Sequence, residues 1–566
     1  MRTSNIWSCD FETTTDPDDC RVWAWVAINI YDNTKREYGN SISKFIDFLW
    51  GHNRKCYFHN LKFDGTFILD YLLKNGWSLN KEKKDLQTCE FNTLISDKGF
   101  YYTMCLCFGP KSKCEIIDSL KILPYSVDAI AKGWKLPVQK LHIDYKAYRE
   151  PGHELTKEEK DYITNDALIV AIALKSTFDD GYKKITAGSN AFNFYVDKCM
   201  GGKKGFRNTF PIPENDAYLR KAYRGGFTYV APQYKNKLVG AGRVYDVNSL
   251  YPFALHSPHV YPYGEPVYFT GEYQKNDKYP LYFQRFYCDF KLKPDHLPTI
   301  QMKNTAGYIP TEYVTESLND SVPLTLTSVD LALFFDQYDV YNYRPIDGYM
   351  YKAGEKLFDT YIDYFYKQKQ QAKQEKNYAR YQLAKLMLNS FYGKMATNPI
   401  CASRWPTLKD NRLAYLPGDI ENREPVYIPV GCFCTAYARD VTIRAAQSCY
   451  DRFMYADTDS LHVLGDYDVP GLDVDEYRLG AFKHENTFTQ AKYLRPKLYM
   501  EEMITGRGET FILNDWTVTG AGMTKSVKQK VSIDSFEYGA VFDGKLTTKV
   551  VPGGTVLVDT TFKIHG

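Results

Sequence analysis

Phe453-Met454-Tyr455-Ala456-Asp457-Thr458-Asp459-Ser460-Leu461-His462-Val463 reads as two short strands joined by an acidic turn. Asp and Thr are ordinary turn residues, so a bland hairpin explains this segment in isolation. Two other stretches give it context. Upstream, Arg243-Val244-Tyr245-Asp246-Val247-Asn248-Ser249-Leu250-Tyr251-Pro252 reads as a short strand, a turn and a helix start, with Asp246 at the strand end. Between them, Lys385-Leu386-Met387-Leu388-Asn389-Ser390-Phe391-Tyr392-Gly393-Lys394 places Lys385, Asn389 and Tyr392 at i, i+4 and i+7, on one face of a helix. An ammonium, an amide and an aromatic ring on that face can meet a phosphate chain, a sugar edge and a base in turn.

The chain has 566 residues, enough for roughly three or four domains at about 150 residues each. With 44% hydrophobic and 25% charged residues it is globular. The formal net charge of +3 excludes a histone-like coat but is compatible with local basic grooves. Tyr 48, Phe 33 and Trp 8 make an aromatic-rich chain, suited either to mixed polar-apolar cores or to stacking on bases. No run of 18 apolar residues occurs, so no transmembrane helix is expected, and the first residues lack a signal-peptide apolar region. The 13 cysteines form no framework; Cys105/Cys107 and Cys432/Cys434 are expected to put their thiols on one face of a strand. A reducing cytoplasm is the expected setting. There is no C-x-x-C, H-E-x-x-H or phosphate-loop pattern, which argues against zinc and against a P-loop NTPase.

Residues 1–187 alternate strand-like runs (23–28, 56–58, 115–118) with helix-like ones. Phe67 to Leu73 reads as a helix starting near Thr66 and ending at Asn75-Gly76, and Thr156-x-x-Glu159 as a capping box. Residues 186–208, rich in Gly, Lys and Asn, read as a linker; 258–357 as short strands in a Tyr-, Pro- and Gly-dense stretch; Gln368–Asn389 as a helical hairpin or long helix; the end from about 524 as short strands.

In Ser8-Cys9-Asp10-Phe11-Glu12-Thr13, Asp10 and Glu12 share one strand face. His59-Asn60-Leu61-Lys62-Phe63-Asp64 precedes a helix, and Tyr162 and Asp166 lie at i, i+4 on the helix begun by the capping box. Four carboxylates brought together repel unless divalent cations neutralise them; Mg²⁺ suits such oxygen ligands, and two ions can drive phosphodiester hydrolysis with Tyr162 orienting a water.

Asp10-x-Glu12, Asn60-x-x-x-Asp64 and Tyr162-x-x-x-Asp166 resemble the three motifs of the DEDD 3′–5′ proofreading exonucleases, which have an RNase H-like fold. The resemblance implies that Asp10, Glu12, Asp64 and Asp166 bind metal and that Lys140 assists catalysis. It also implies that Thr13, Tyr57, His59, Asn60, Phe63, Phe67, Ser119 and Leu120 hold a frayed single strand, though Phe63 reads equally as a core aromatic. The Asp246, Lys385 and Asp457-Thr458-Asp459 segments resemble motifs A, B and C of family B DNA polymerases in their protein-primed spelling. Tyr223-Arg224-Gly225-Gly226 resembles that group's connector, and Thr435 to Arg439 and Lys497-Leu498-Tyr499 its primer-strand motifs.

The polymerase resemblance implies a multidomain α/β fold, an RNase H-like exonuclease plus a right-hand polymerase: exonuclease 1–187; palm 188–257 and 428–523; a first insertion contacting terminal protein, 258–357; fingers 358–397; a second insertion for processivity and strand displacement, 398–427; thumb 524–566. By the same resemblance, Asp246, Asp459 and the Val247 carbonyl hold two Mg²⁺ ions (Mn²⁺ can substitute) beside Asp457, and Lys385 neutralises the reacting phosphate. It assigns Ser249, Tyr251 (a steric gate against ribose), Lys373, Asn389, Tyr392 and Gly393 to the nucleotide. To DNA it assigns Tyr223, Gly225, Gly226, Thr435, Arg439, Lys497 and Tyr499. Lys367, Lys369, Lys373, Lys376 and Arg380 leave the triphosphate contact open among several cations, since Tyr381 stands where relatives often have lysine; His142 replaces an expected acid near Lys140. The partners so implied are primer-template DNA, deoxynucleoside triphosphates and a terminal protein that supplies the priming hydroxyl. The chain is expected to act as a monomer, or as a heterodimer with that protein, in the cytoplasm of an infected bacterial host. A nuclease with a degenerate polymerase half would need broken motifs, and a non-catalytic DNA-binding or capsid-associated protein would not keep two acidic sites.

Overall fold

The computed structural model describes residues 3–141, 143–144, 147–301, 312–317, 323–505 and 512–565; His142 lies outside them. The first layer is a sheet of β1 (Ile6–Thr13), β2 (Val22–Asn29), β3 (Arg36–Gly39), β4 (Lys55–Phe58), β5 (Ser78–Leu79), β6 (Glu90–Ile95), β7 (Tyr101–Gly109) and β8 (Ser112–Asp118), in the order β3-β2-β1-β4-β8-β7-β6-β5. β1 runs parallel to β4 and antiparallel to β2, so Asp10 and Glu12 sit in mid-sheet. Helices α1 (Ile42–Leu49) and α2 (Leu61–Lys74) cover one face, α3 (Val127–Gly133) and α4 (Lys157–Asp179) the other.

α2 begins at Leu61, not near Thr66: Asn60 adopts a left-handed turn (φ 76°), and Phe63 N–H donates to Asn60 O at 2.9 Å. The earlier start places Asp64 in the first turn, where the helix dipole favours a carboxylate. The α4 capping box forms as expected, Thr156 and Glu159 each bonding the other's backbone N–H.

The expected linker at 186–208 is instead α5 (Ala187–Phe194), a π-helical continuation (Tyr195–Cys199), a short turn, and α6 (Lys203–Thr209). Ala191, Tyr195 and Phe206 are buried in the largest core, and this apolar spacing outweighs the Gly- and Lys-rich composition. After α7 (Asp216–Leu219) come β9 (Thr228–Val230), β10 (Leu238–Val239), β11 (Gly242–Val247) and α8 (Leu250–Leu255). The next region is a sheet of β12 (Tyr261–Thr270), β13 (Leu281–Leu292), β14 (Leu324–Thr327) and β15 (Tyr338–Gly354), with α9 (Ser328–Gln337). Its strands run to 12 and 17 residues in β13 and β15, longer than expected, because aromatic cross-strand pairs sustain the ladder.

The helical hairpin forms as α10 (Asp359–Gln374) and α11 (Tyr378–Met395). β16 (Ile400–Lys409) and β17 (Arg412–Asn422) follow as a hairpin whose turn residues Asp410 and Asn411 both have positive φ. The C-x-C at Cys432/Cys434 lies on α12 (Ile428–Ser448), not a strand, so the thiols diverge, toward Leu219 O and Tyr251 O. Gly431, Ala436 and Ala438 are buried there, and such small residues let a helix pack closely. β18 (Phe453–Asp457), β19 (Ser460–Leu464), β20 (Phe482–Arg495), β21 (Leu498–Thr505) and β22 (Ile512–Gly520) complete the central sheet, in the order β22-β21-β20-β11-β19-β18-β9. After α13 (Lys525–Lys528), β23 (Val541–Val551) and β24 (Gly554–Lys563) form a long hairpin whose Gly553-Gly554 tip rests on α2.

Candidate active site

β1, α2 and α4 deliver Asp10, Glu12, Asp64, Tyr162 and Asp166 to one cavity of about 220 Å³, which Lys140, His59, Asn60 and Phe63 also line. Burial pushes the Asp10 carboxyl up to about 8, and the Asp166 charge adds to the shift while Lys140 opposes it. Burial likewise raises Glu12, with Asp10, Asp166 and Asp64 repelling it, and raises Asp64, with Asp10 repelling it. Lys140 Nζ bonds Asp166 Oδ2 at 2.7 Å, while buried Asp166 Oδ1 has no hydrogen-bond partner among the described residues. An all-oxygen, mutually repelling set with an orphaned buried oxygen fits hard divalent cations. Among the described residues no three Asp, Glu, His or Cys side chains form a protein-only chelate. Mg²⁺ commonly keeps waters and takes phosphate oxygens from substrate.

The second set lies where β11 meets the β18–β19 turn. Asp246 is opposite Ser460 and Lys483, and Val247 N–H donates to Asp459 O at 2.8 Å. Thr458 holds φ 65°, rare for a β-branched residue; Thr458 N–H to Phe227 O (2.6 Å) and Thr442 Oγ1–H to Thr458 O (2.8 Å) fix it. Burial raises Asp246 to about 8, helped by Asp459 and Glu485 and opposed by Lys385 and Lys483; burial raises Asp459 too. Asp457 differs: Lys497 Nζ (3.0 Å), Thr228 Oγ1 (3.2 Å) and Tyr455 OH (3.3 Å) all bond it. Asp246 and Asp459 are therefore the under-compensated pair, and Asp457 anchors Lys497.

Lys385, Asn389 and Gly393 form an exposed line on α11, with Tyr392 half-buried beside them. The Tyr392 ring stacks on Tyr251 at 4.1 Å between centroids. Thus strand-end acids, a helix cation and an aromatic platform, distant in sequence, meet at one end of the central strands. A family model described as DNA polymerase type B, organellar and viral, matches residues 48–153 and 146–470. The chain belongs to the family B DNA polymerases.

The DNA polymerase of Bacillus phage M2 is 43% identical to it across 99% of each chain, that of Bacillus phage phi29 42% across 99% of each, and that of Streptococcus phage Cp-1 34% across 98% of each. The solved structure of phi29 DNA polymerase with primer-template DNA and incoming nucleotide matches with a TM-score of 0.93 at 41% identity, covering 99% of both chains. This is a replicative DNA-directed DNA polymerase, and divalent-metal use comes with its family.

Several residues expected on DNA are buried in this polymerase. Tyr57 is 6% exposed and packs on Phe178; Phe67 is 2% exposed and seats the Gly554 backbone; buried Ser119 donates from Oγ to Phe58 O and meets His59 Nδ1. Their side chains build the sheet and helix that carry the site. Thr13, His59, Asn60, Phe63 and Leu120 retain exposure, and Phe63 lines the cavity. Thr435 is buried, its hydroxyl bonded to Gly431 O and Cys432 O. Arg439, 2% exposed, is held by Asp330 and donates from Nη1 to Arg224 O and Gly225 O. It fixes the connector carrying half-buried Tyr223, exposed Gly225 and half-buried Gly226. Gly226 is required: an added Cβ would lie 2.6 Å from Thr458 Cγ2. Exposed Lys497 and half-buried Tyr499 stay near the acidic turn. Sequence reasoning did not single out Glu485, Lys483 or the buried His462–Glu501 pair (2.6 Å) beneath the turn, which no motif spacing announces.

Proposed function

We propose that this polymerase replicates a linear viral genome by protein-primed, processive, strand-displacing synthesis and proofreads with its own 3′–5′ exonuclease. The observation that carries the reading is the presence of two separate carboxylate clusters built against different sheets, Asp10/Glu12/Asp64/Asp166 around one cavity and Asp246/Asp459 at the β11 end. Two Mg²⁺ ions per site, with Mn²⁺ as substitute, would be held by these side chains and the Val247 carbonyl; when bound they polarise phosphoryl oxygens and acidify a water or hydroxyl.

The chain's own groups do the rest. Asp457 holds Lys497 at the primer end, Lys385 faces developing phosphate charge, and Tyr251 with Tyr392 packs under sugar and base. In the other site Lys140 balances Asp166, and Tyr162 orients the attacking water. The phi29 polymerase structures are described with primer-template DNA, incoming nucleotide and, in another (TM-score 0.92, 40% identity), single-stranded DNA; the same ligands are proposed here. The sheet at 258–357 is assigned to the terminal protein and the 398–427 hairpin to encircling DNA, within the domain limits set out from the sequence; the host cytoplasm is the proposed place of action.

Primer extension with Mg²⁺ tests the division of labour. Asp459→Ala is expected to lose synthesis and keep 3′–5′ degradation, and Asp10→Ala with Glu12→Ala to do the reverse. Equal loss of both activities in both variants would refute two independent sites.

A further inference from the structure

The acidic turn continues inward as a hydrogen-bonded chain of side chains. β19 runs between β11 and β18, and Ser460 stands opposite Asp246 on one side and Asp457 on the other. Opposed residues share a sheet face, so Ser460 lies between the two carboxylates, half-buried like them. Two residues along the strand, on the same face, His462 is 2% exposed. Its Nε2 is 3.3 Å from Ser460 Oγ, and its Nδ1 is 2.6 Å from Glu501 Oε1. Glu501 is itself buried on β21, and the Tyr493 hydroxyl donates to the same Oε1 at 2.7 Å. The rings of Tyr455, Tyr493 and Tyr499 lie 5.0, 5.8 and 5.3 Å from the imidazole and wall it from water.

This chain has a direction. A carboxylate only accepts hydrogen bonds, so Nδ1 carries the proton shared with Glu501. Nε2 of the neutral imidazole can then only accept, and the donor facing it is the Ser460 hydroxyl. We propose that His462 and Glu501 are positioning residues of the synthesis site, holding the Ser460 proton inward and leaving the oxygen lone pairs of Ser460 toward Asp246 and Asp457. This role rests on the reading of Asp246 and Asp459 as the site of nucleotidyl transfer. A serine hydroxyl set between carboxylates would otherwise donate to one of them and spend a lone pair that a divalent cation needs. Asp457 already takes bonds from Lys497, Thr228 and Tyr455, so Asp246 is the acid that the arrangement keeps free. The cost of such a couple also argues for a task. A buried ionisable pair stabilises a fold no better than apolar side chains of the same volume, and Glu501 tolerates its burial only through its two donors.

The test is single-nucleotide insertion on primer-template with Mg²⁺, with 3′–5′ degradation of single-stranded DNA as the folding control. His462→Asn keeps an amide donor near the Nδ1 position for Glu501 and has no atom in the place of Nε2. It is expected to lower kcat about fivefold, equivalent to about 1 kcal/mol, with the nucleotide KM within about twofold. In a Ser460→Ala background the same substitution is expected to change kcat by less than about twofold, because the couple acts through that hydroxyl. An equal loss in both backgrounds would mark a packing effect and overturn the proposal, as would an unchanged kcat. The ring itself is read by nitrogen NMR of metal-free wild type carrying isotope-labelled histidine, with the His462 signals assigned by their shift in Ser460→Ala. They should show a proton on Nδ1 and none on Nε2; an imidazolium or an Nε2–H tautomer overturns the proposal. If His462→Asn misfolds, seen as lost degradation of single-stranded DNA, this spectrum decides. Wild type failing to extend a primer would instead refute the synthesis-site reading itself.

Discussion

Neutralising Asp10 should stabilise the metal-free protein while abolishing its nuclease. The Asp10 carboxyl moves from its ordinary 3.8 to about 8, chiefly by burial and then by Asp166. At about 1.4 kcal/mol per pH unit, the charged form taken alone is disfavoured by about 6 kcal/mol. Asp10 is half-buried and Lys140 offsets part of the repulsion, so about a third, ~2 kcal/mol, is the expected return on removing the charge. The direction of the shift sets the sign. Below the unfolded value of 3.8 the group is neutral in both states and folding is unopposed. Above it the unfolded chain ionises while the folded site resists, so stability falls as pH rises and the loss is complete once pH passes about 8. Glu12 and Asp64, also raised, act in the same direction. In EDTA, Asp10→Asn should raise the temperature of the transition that unfolds the β1–β8 sheet by about 4–8 °C at pH 8.5 and much less at pH 5, and Mg²⁺ should erase the difference at pH 8.5 by stabilising the wild type. Thermal unfolding monitored by tryptophan fluorescence and checked by calorimetry reads this. A variant no more stable than wild type at pH 8.5 in EDTA, or a gain equal at both pH values, would refute the reasoning that burial and mutual carboxylate repulsion mark this site for metal.

Packing yields two further expected outcomes. Gly226→Ala places a Cβ 2.6 Å from Thr458, so the acidic turn must shift; primer extension should fall at least tenfold while degradation of single-stranded DNA stays within about twofold of wild type, and an unimpaired extension rate would show that the connector does not set the turn. Phe67→Ala should cost about 3–5 kcal/mol of stability in thermal unfolding, as expected for a buried aromatic, whereas Phe63→Ala should leave stability nearly unchanged and raise the KM for single-stranded substrate; the reverse pattern would restore Phe67 as a strand contact.

The residues legible in the sequence were those whose chemistry is peculiar; hidden in it was which way a side chain faces. Asp10-x-Glu12, Thr156-x-x-Glu159 and Lys385/Asn389/Tyr392 could be read because strand and helix periods dictate a shared face, and the structure keeps those faces together. The burial of Tyr57, Phe67, Ser119, Thr435 and Arg439 could not, because motif membership does not encode how deeply a side chain packs. Arg439 shows the difference in energy terms. Its guanidinium is buried against Asp330 and two connector carbonyls, so removing it would leave Asp330 charged without its partner and free the Gly225-Gly226 loop from α12. Long-range placement is set by sheet pairing between segments hundreds of residues apart, such as Asp246 with Ser460, and no local pattern encodes it.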